Sequence, residues 1–153
     1  MTVVIGSDHG GFELKAKIAE HLKEKGYAVN DVGTDSQASC HYPAIAHKLC
    51  TELGKDPDAL GILICGTGIG MSMAANKHHG IRAALCGDTY SARMTREHNN
   101  ANVLCMGARV LGEGLAVDIA DTFLSSSFLG GRHKTRVDML SLIEDGRGDE
   151  LVP

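Results

Sequence analysis

The chain has 153 residues, 43% hydrophobic and 22% charged, the composition of one soluble globular domain long enough to bury a core. A formal charge of -4 with no basic run argues against a reader of the nucleic-acid backbone, and 4% aromatics with no Trp leave no stacking platform for single strands. No apolar stretch approaches a membrane span, and Met1 leads into Thr2-Val3-Val4-Ile5, a strand pattern rather than a signal peptide, so neither a nucleic-acid nor a membrane partner is expected.

In chain order, Val3-Val4-Ile5 reads as the first strand, and residues 12–25 as a helix whose Phe12, Ala16, Ala19 and Leu22 recur at helical spacing. Gly26 stops that helix, and residues 27–32 give a second strand. Residues 33–40 form a polar loop, Pro43 marks a helix start, and the helix continues over 44–53. Gly61-Ile62-Leu63-Ile64-Cys65 carries no charge on either face, as a central parallel strand requires, and a short helix over 71–77 follows it. Residues 81–86 and 102–106 read as strands four and five around a helix over 91–97, and 115–124 and 137–143 as closing helices. Residues 146–153 read as a loose tail whose Arg147-Gly148-Asp149 triplet is a chance match. Alternation of strand and helix predicts a Rossmann-like α/β fold: a three-layer α/β/α sandwich around a five-stranded parallel sheet, one domain over 1–153. Sites in such folds lie at the carboxyl ends of the strands.

The five cysteines (Cys40, Cys50, Cys65, Cys86 and Cys105) are odd in number and include no C-x-x-C pair. Neither a disulfide framework nor a zinc site is indicated, and free thiols in apolar runs place the chain in the reducing cytoplasm. His78-His79 and the pair His41 and His47 lack carboxylate or thiol partners at ligand spacing, so a surface role is expected and no metal or other cofactor.

Polar and reactive residues gather after the strands. Ser7-Asp8-His9-Gly10-Gly11 sets a carboxylate beside an imidazole, able to hold a sugar hydroxyl and pass its proton; equally, Asp8 can simply cap the next helix. Cys65-Gly66-Thr67-Gly68-Ile69-Gly70 bares backbone N–H groups to an anion, yet it is neither a P-loop nor a G-x-G-x-x-G fingerprint, since Met71 follows Gly70. Cys65 is then either a packing thiol in a tight turn or a thiolate favoured by that loop, and the residues alone leave both readings open. His98, ahead of Asn99 and Asn100, suits a helix C-terminus, where an imidazole offsets the dipole or carries a proton near neutral pH. Arg132 and Arg136 share a helical face at i and i+4, fit for a phosphate dianion or for a solvated basic face, and Arg109 after strand five could join the same pocket.

Together these segments resemble the B-type ribose-5-phosphate isomerase family, which also includes allose-6-phosphate and galactose-6-phosphate isomerase subunits. The resemblance runs from Val4 to about Glu144. It rests on Gly6-Ser7-Asp8-His9, Asp31-Val32-Gly33-Thr34, Tyr42-Pro43, Ile64-Cys65-Gly66-Thr67-Gly68-Ile69-Gly70 with Ala74-Ala75-Asn76-Lys77, Gly80-Ile81-Arg82-Ala83, His98-Asn99, Gly107-Ala108-Arg109 and Gly130-Gly131-Arg132-His133. It implies a metal-free aldose–ketose isomerase interconverting ribose 5-phosphate and ribulose 5-phosphate through an enediolate. Cys65 would take the C2 proton, the backbone from Gly66 through Gly68 and Ile69 to Gly70 would hold the enediolate oxygens, and Thr67 would orient the hydroxyls. Asp8 and His98 would open the furanose, Asn99 and Tyr42 would contact the sugar, and His9, Arg109, Arg132 and Arg136 would anchor the phosphate. Another branch of the family has Gly in place of Cys65 and a Glu base at the position of Met71; this sequence follows the cysteine branch. His41 stands before Tyr42-Pro43 where many members carry Asp. Members are homodimers or tetramers of dimers, with sites completed across the interface. A hexose-phosphate isomerase is the alternative activity. A nucleotide-binding module is the alternative class, and it lacks its fingerprint and leaves His98 and the arginines without a task.

Overall fold

The computed structural model describes residues 1–151. Its strands are β1 (Thr2–Ser7), β2 (Ala28–Asp31), β3 (Leu60–Cys65), β4 (Ala83–Leu85) and β5 (Val103–Gly107), all parallel and ordered β2-β1-β3-β5-β4. Between and after them run α1 (Phe12–Glu24), α2 (Tyr42–Leu53), α3 (Ile69–Ala75), α4 (Thr89–Asn99), α5 (Glu113–Ser125) and α6 (Arg132–Glu144). The expected three-layer α/β fold is present, and β3 is its central, wholly buried strand.

Alternation along the strands builds two cores. Val3, Ile5, Ile62, Ile64, Leu104 and Met106 face α1 and α5, meeting Ile18, Leu22, Ile119 and Phe123. Val4, Leu63, Cys65, Val103 and Cys105 point the other way, onto Leu49 and Leu53 of α2 and Met71 of α3. The loop after β1 therefore climbs to one face and the loop after β3 to the other, so the crevice of a doubly wound sheet opens between these two strand ends.

Four details depart from the sequence reading. The buried stripe of α1 is Leu14, Lys15, Ile18, Ala19 and Leu22; Phe12 is half-buried and Ala16 is exposed, because the stripe is turned toward the sheet by about one position. Strand β4 is only three residues long, with Ile81 and Arg82 outside it. Helix α6 begins at Arg132 rather than near 137 and has no buried residue, so its apolar periodicity under-reports its length. Gly148–Glu150 adds a 3-10 turn inside the expected tail, whose last two positions, 152 and 153, lie outside the described residues.

Candidate active site

Three strand ends meet backbone to backbone. A Cβ on Gly11 would lie 2.6 Å from the Ile64 carbonyl oxygen, and one on Gly107 2.7 Å from the Thr67 carbonyl, so glycine at these two positions lets the chain after β1, β3 and β5 close up. Asp8 N–H donates to the Ile64 carbonyl, Ala108 N–H to that of Cys65 and Arg109 N–H to that of Gly66, at 3.2, 2.8 and 3.0 Å.

Cys65 ends the central strand and is 6% exposed. Its Sγ accepts the Gly68 N–H at 3.1 Å. Gly68 makes that turn at φ +79°, with Leu85 and the Met106 backbone where a side chain would go. The Thr67 hydroxyl accepts from Ile69 N–H at 3.3 Å. Three other thiols behave as packing groups: burial pushes Cys50 up to about 11, burial and then Asp88 push Cys86 up to about 11, and burial lifts Cys105 well above the ordinary thiol range. Met71 is fully buried in the core beneath the loop.

Asp8, 8% exposed, caps the turn His9–Gly11 by accepting the Gly10 N–H at Oδ1, 2.9 Å away. Asp8 thus caps this short turn and not α1 itself, whose N-cap Gly11 makes no side-chain bond, and among the described residues Oδ2 makes no hydrogen bond. His9 Nδ1 accepts the Cys40 N–H at 3.3 Å, which leaves Nε2 as the protonated nitrogen of the neutral ring. Tyr42 opens α2 with its ring over Gly70, 2.8 Å from where a Cβ would be, and the Arg109 side chain lies along Gly66. Asp8, His9, Tyr42, the stretch from Cys65 to Gly70, and Arg109 form one contiguous group. Beside it a cleft of about 410 Å³ is lined by His9, Arg109, Lys17 and Gln37. Lys17, paired with Glu113, was not legible as a site residue, because one more lysine on the solvated side of α1 gives no signal.

His98, Asn99, Arg132 and Arg136 stand elsewhere. Helix α4 leaves the carboxyl edge at its cap Asp88, runs back along the sheet and ends just before β5 begins, so His98 and Asn99 lie at the amino edge. Cys65 pairs in register with Gly107 and Gly61 with Val103, which separates the two edges by about 13 Å along the strands at the usual rise. At the amino edge the His98 ring stacks on His133 of α6, centroids 4.1 Å apart and planes within 6°. Burial, then His98, Arg132 and Arg136, lower the His133 pKa from the ordinary imidazole value. Arg132 and Arg136 are exposed; Lys134 beside them pairs with Asp138, but neither guanidinium has a carboxylate partner among the described residues. The residues singled out in the sequence thus fall into two groups at opposite edges of the sheet.

His47 and His78 come together, Nδ1 to Nε2 at 2.9 Å, a proximity the sequence did not reveal. Among the described residues no group of three or more His, Cys, Asp or Glu side chains is placed to hold a metal ion, and no helix is long and apolar enough to cross a membrane.

A family profile described as Ribose/Galactose Isomerase matches residues 3–140. The chain belongs to that family. It is 46% identical over 145 residues to ribose-5-phosphate isomerase B of Escherichia coli K12, covering 95% of this chain and 97% of that one. A solved structure of Clostridium thermocellum ribose-5-phosphate isomerase B superposes with a TM-score of 0.93 at 52% identity, covering 95% of this chain and 99% of that one. The Mycoplasma genitalium enzyme, solved with bound ribulose-5-phosphate, gives 0.90 at 43% identity over 94% and 96% of the two chains.

Proposed function

We propose that this protein interconverts ribose 5-phosphate and ribulose 5-phosphate by proton transfer through an enediolate, in a site shared between two copies of the chain. The observation that carries the reading is Cys65: a thiol at the carboxyl end of the central strand, held by a backbone N–H at the mouth of a glycine loop. Cys50, Cys86 and Cys105, whose thiols burial pushes up, have no such setting.

The reaction needs few parts. Asp8 of one copy and His98 of the other pass the proton that opens the furanose. Cys65 then takes the C2 proton, and the electron pair forms the C1–C2 double bond as the aldehyde oxygen becomes an oxyanion. Backbone N–H groups from Gly66 to Gly70 stabilise that oxyanion, and this is where most of the barrier is lowered, because the C2 proton is only weakly acidic. Thr67 orients the two hydroxyls while a proton moves between the oxygens. Delivery of the carbon-bound proton to C1 completes the ketose. His9 and Arg109 hold the phosphate from the copy that supplies Cys65, and Arg132 and Arg136 reach it from the other, with Asn99 on a sugar oxygen. Tyr42 closes the sugar pocket over Gly70.

The division between copies is supported by the two groups of residues at opposite sheet edges and by apolar side chains left in solvent around both: Ile69, Leu85 and Val110 near Cys65, Leu140 and Ile143 on α6. Free thiols at all five cysteines support a cytoplasmic setting. The decisive assay follows ribose 5-phosphate, allose 6-phosphate and galactose 6-phosphate side by side. Ribose 5-phosphate turns over fastest, and Cys65→Ser folds normally but isomerises poorly, since a hydroxyl is a far weaker base at neutral pH. Preference for a hexose phosphate, or near-wild-type turnover by Cys65→Ala, contradicts the reading.

A further inference from the structure

Lys15 is the one lysine inside the core, 2% exposed on the buried stripe of α1. Burying an ammonium is costly unless its protons are all bound, and a lysine there with no task would be replaced by an aliphatic residue without loss. All three protons are in fact used. Nζ donates to Asp31 Oδ1 and Oδ2 at 2.7 Å each and to the Thr34 carbonyl at 2.6 Å. Asp31, at the end of β2, also accepts the Gly33 N–H at 2.9 Å, so carboxylate and ammonium together fix the whole turn from 31 to 34.

That turn grips the start of the site. Ser7 N–H donates to the Gly33 carbonyl and Thr34 N–H to the Ser7 carbonyl, both at 2.6 Å, which clamps the peptide directly before Asp8 from both sides. The same polar loop then continues to Cys40, whose N–H sets the tautomer of His9. Lys15 touches neither Asp8 nor His9, yet both side chains hang from backbone that it anchors.

We propose that Lys15 is a positioning residue: through Asp31 and the Thr34 carbonyl it holds Asp8 for ring opening and His9 for the phosphate. This rests on the proposed roles of Asp8 and His9. The test is Lys15→Met, which keeps length and apolar bulk while removing the ammonium, studied well below its melting point with amide hydrogen exchange and steady-state kinetics on ribose 5-phosphate. The expected result is faster exchange at Thr34 and Cys40 by about tenfold or more, unchanged protection in β3 and β5, and a loss of about tenfold or more in kcat/KM that includes a rise in KM. If Lys15→Met does not fold, Asp31→Asn, at the half-exposed end of the same bridge, carries the same expectation at smaller amplitude, about threefold. Two results overturn the proposal: kcat/KM within twofold of wild type in a folded variant, or loop and core amides accelerating together, which marks a purely global loss of stability. Asp8→Asn and His9→Ala are measured alongside. If they too retain activity, the functional reading has failed; if they are inactive while the Lys15 variant is unimpaired, only the positioning role has.

Discussion

Gly68 concentrates several demands at one residue. It holds φ +79°, leaves no room for a Cβ between Leu85 and the Met106 backbone, and aims its N–H at the Cys65 sulfur. Gly68→Ala must relax at least one of these, and a left-handed non-glycine conformation alone costs about 1–3 kcal/mol. The expected outcome is a loss of about 2 kcal/mol or more in urea unfolding, together with a fall in kcat, because the N–H no longer meets the sulfur. A variant with wild-type stability and turnover would show that the turn geometry is incidental. The sequence reveals this glycine loop through its spacing. It does not reveal Lys15, which reads as one more polar residue in α1, since a single chain gives no sign that its ammonium will find Asp31 and Thr34 across 16 and 19 residues.

Helices differ in how they are held, and that decided how much of each was legible. α1, α2 and α5 bury regular stripes against the sheet, so periodicity finds them to within a few residues. α6 buries none of its residues and packs on α4, so its basic first turn gave no apolar signal and the expected start fell five residues late. α1 and α5 are also tied at the surface: Asp121 accepts from Lys25 at 2.6 Å and lies 3.0 Å from His21 Nε2. Burial alone would raise the Asp121 carboxyl, but the bonds from Lys25 and His21 outweigh it and hold the pKa below the ordinary value of 3.8. A depressed carboxylate contributes stability that is fully present above its unfolded pKa and is lost as pH falls through the lower folded value. Asp121→Asn should therefore be less stable than wild type at pH 7, by up to about 1 kcal/mol for a partly exposed pair, with the difference starting to shrink only as pH falls below about 4 and disappearing below the depressed folded pKa. Urea titrations at pH 7, 5 and 3 measure it, and a difference as large at pH 3 as at pH 7 would contradict the assignment.

For the whole molecule, strand–helix alternation and the strand-end motifs made the sheet, its central strand and the cluster of polar loops at its carboxyl edge readable in advance. The placement of His98 was not readable from its motif. It follows from topology: a helix that descends from β4 to the start of β5 must end at the amino edge, whatever its last residues are. That geometry makes the shared site the central claim, and complementation between two inactive variants tests it most directly. Cys65→Ala and His98→Asn are each purified, then mixed under conditions that let subunits exchange. In a mixed pair one site unites the intact Cys65 of one chain with the intact His98 of the other, while the second site carries both lesions. With random exchange, half of the pairs are mixed and each has one working site, so the mixture should recover about a quarter of wild-type activity, although neither variant alone turns over appreciably. If mass spectrometry of differently labelled chains shows that subunits exchange and still no activity returns, Cys65 and His98 do not serve one site across two copies, and the shared site is refuted.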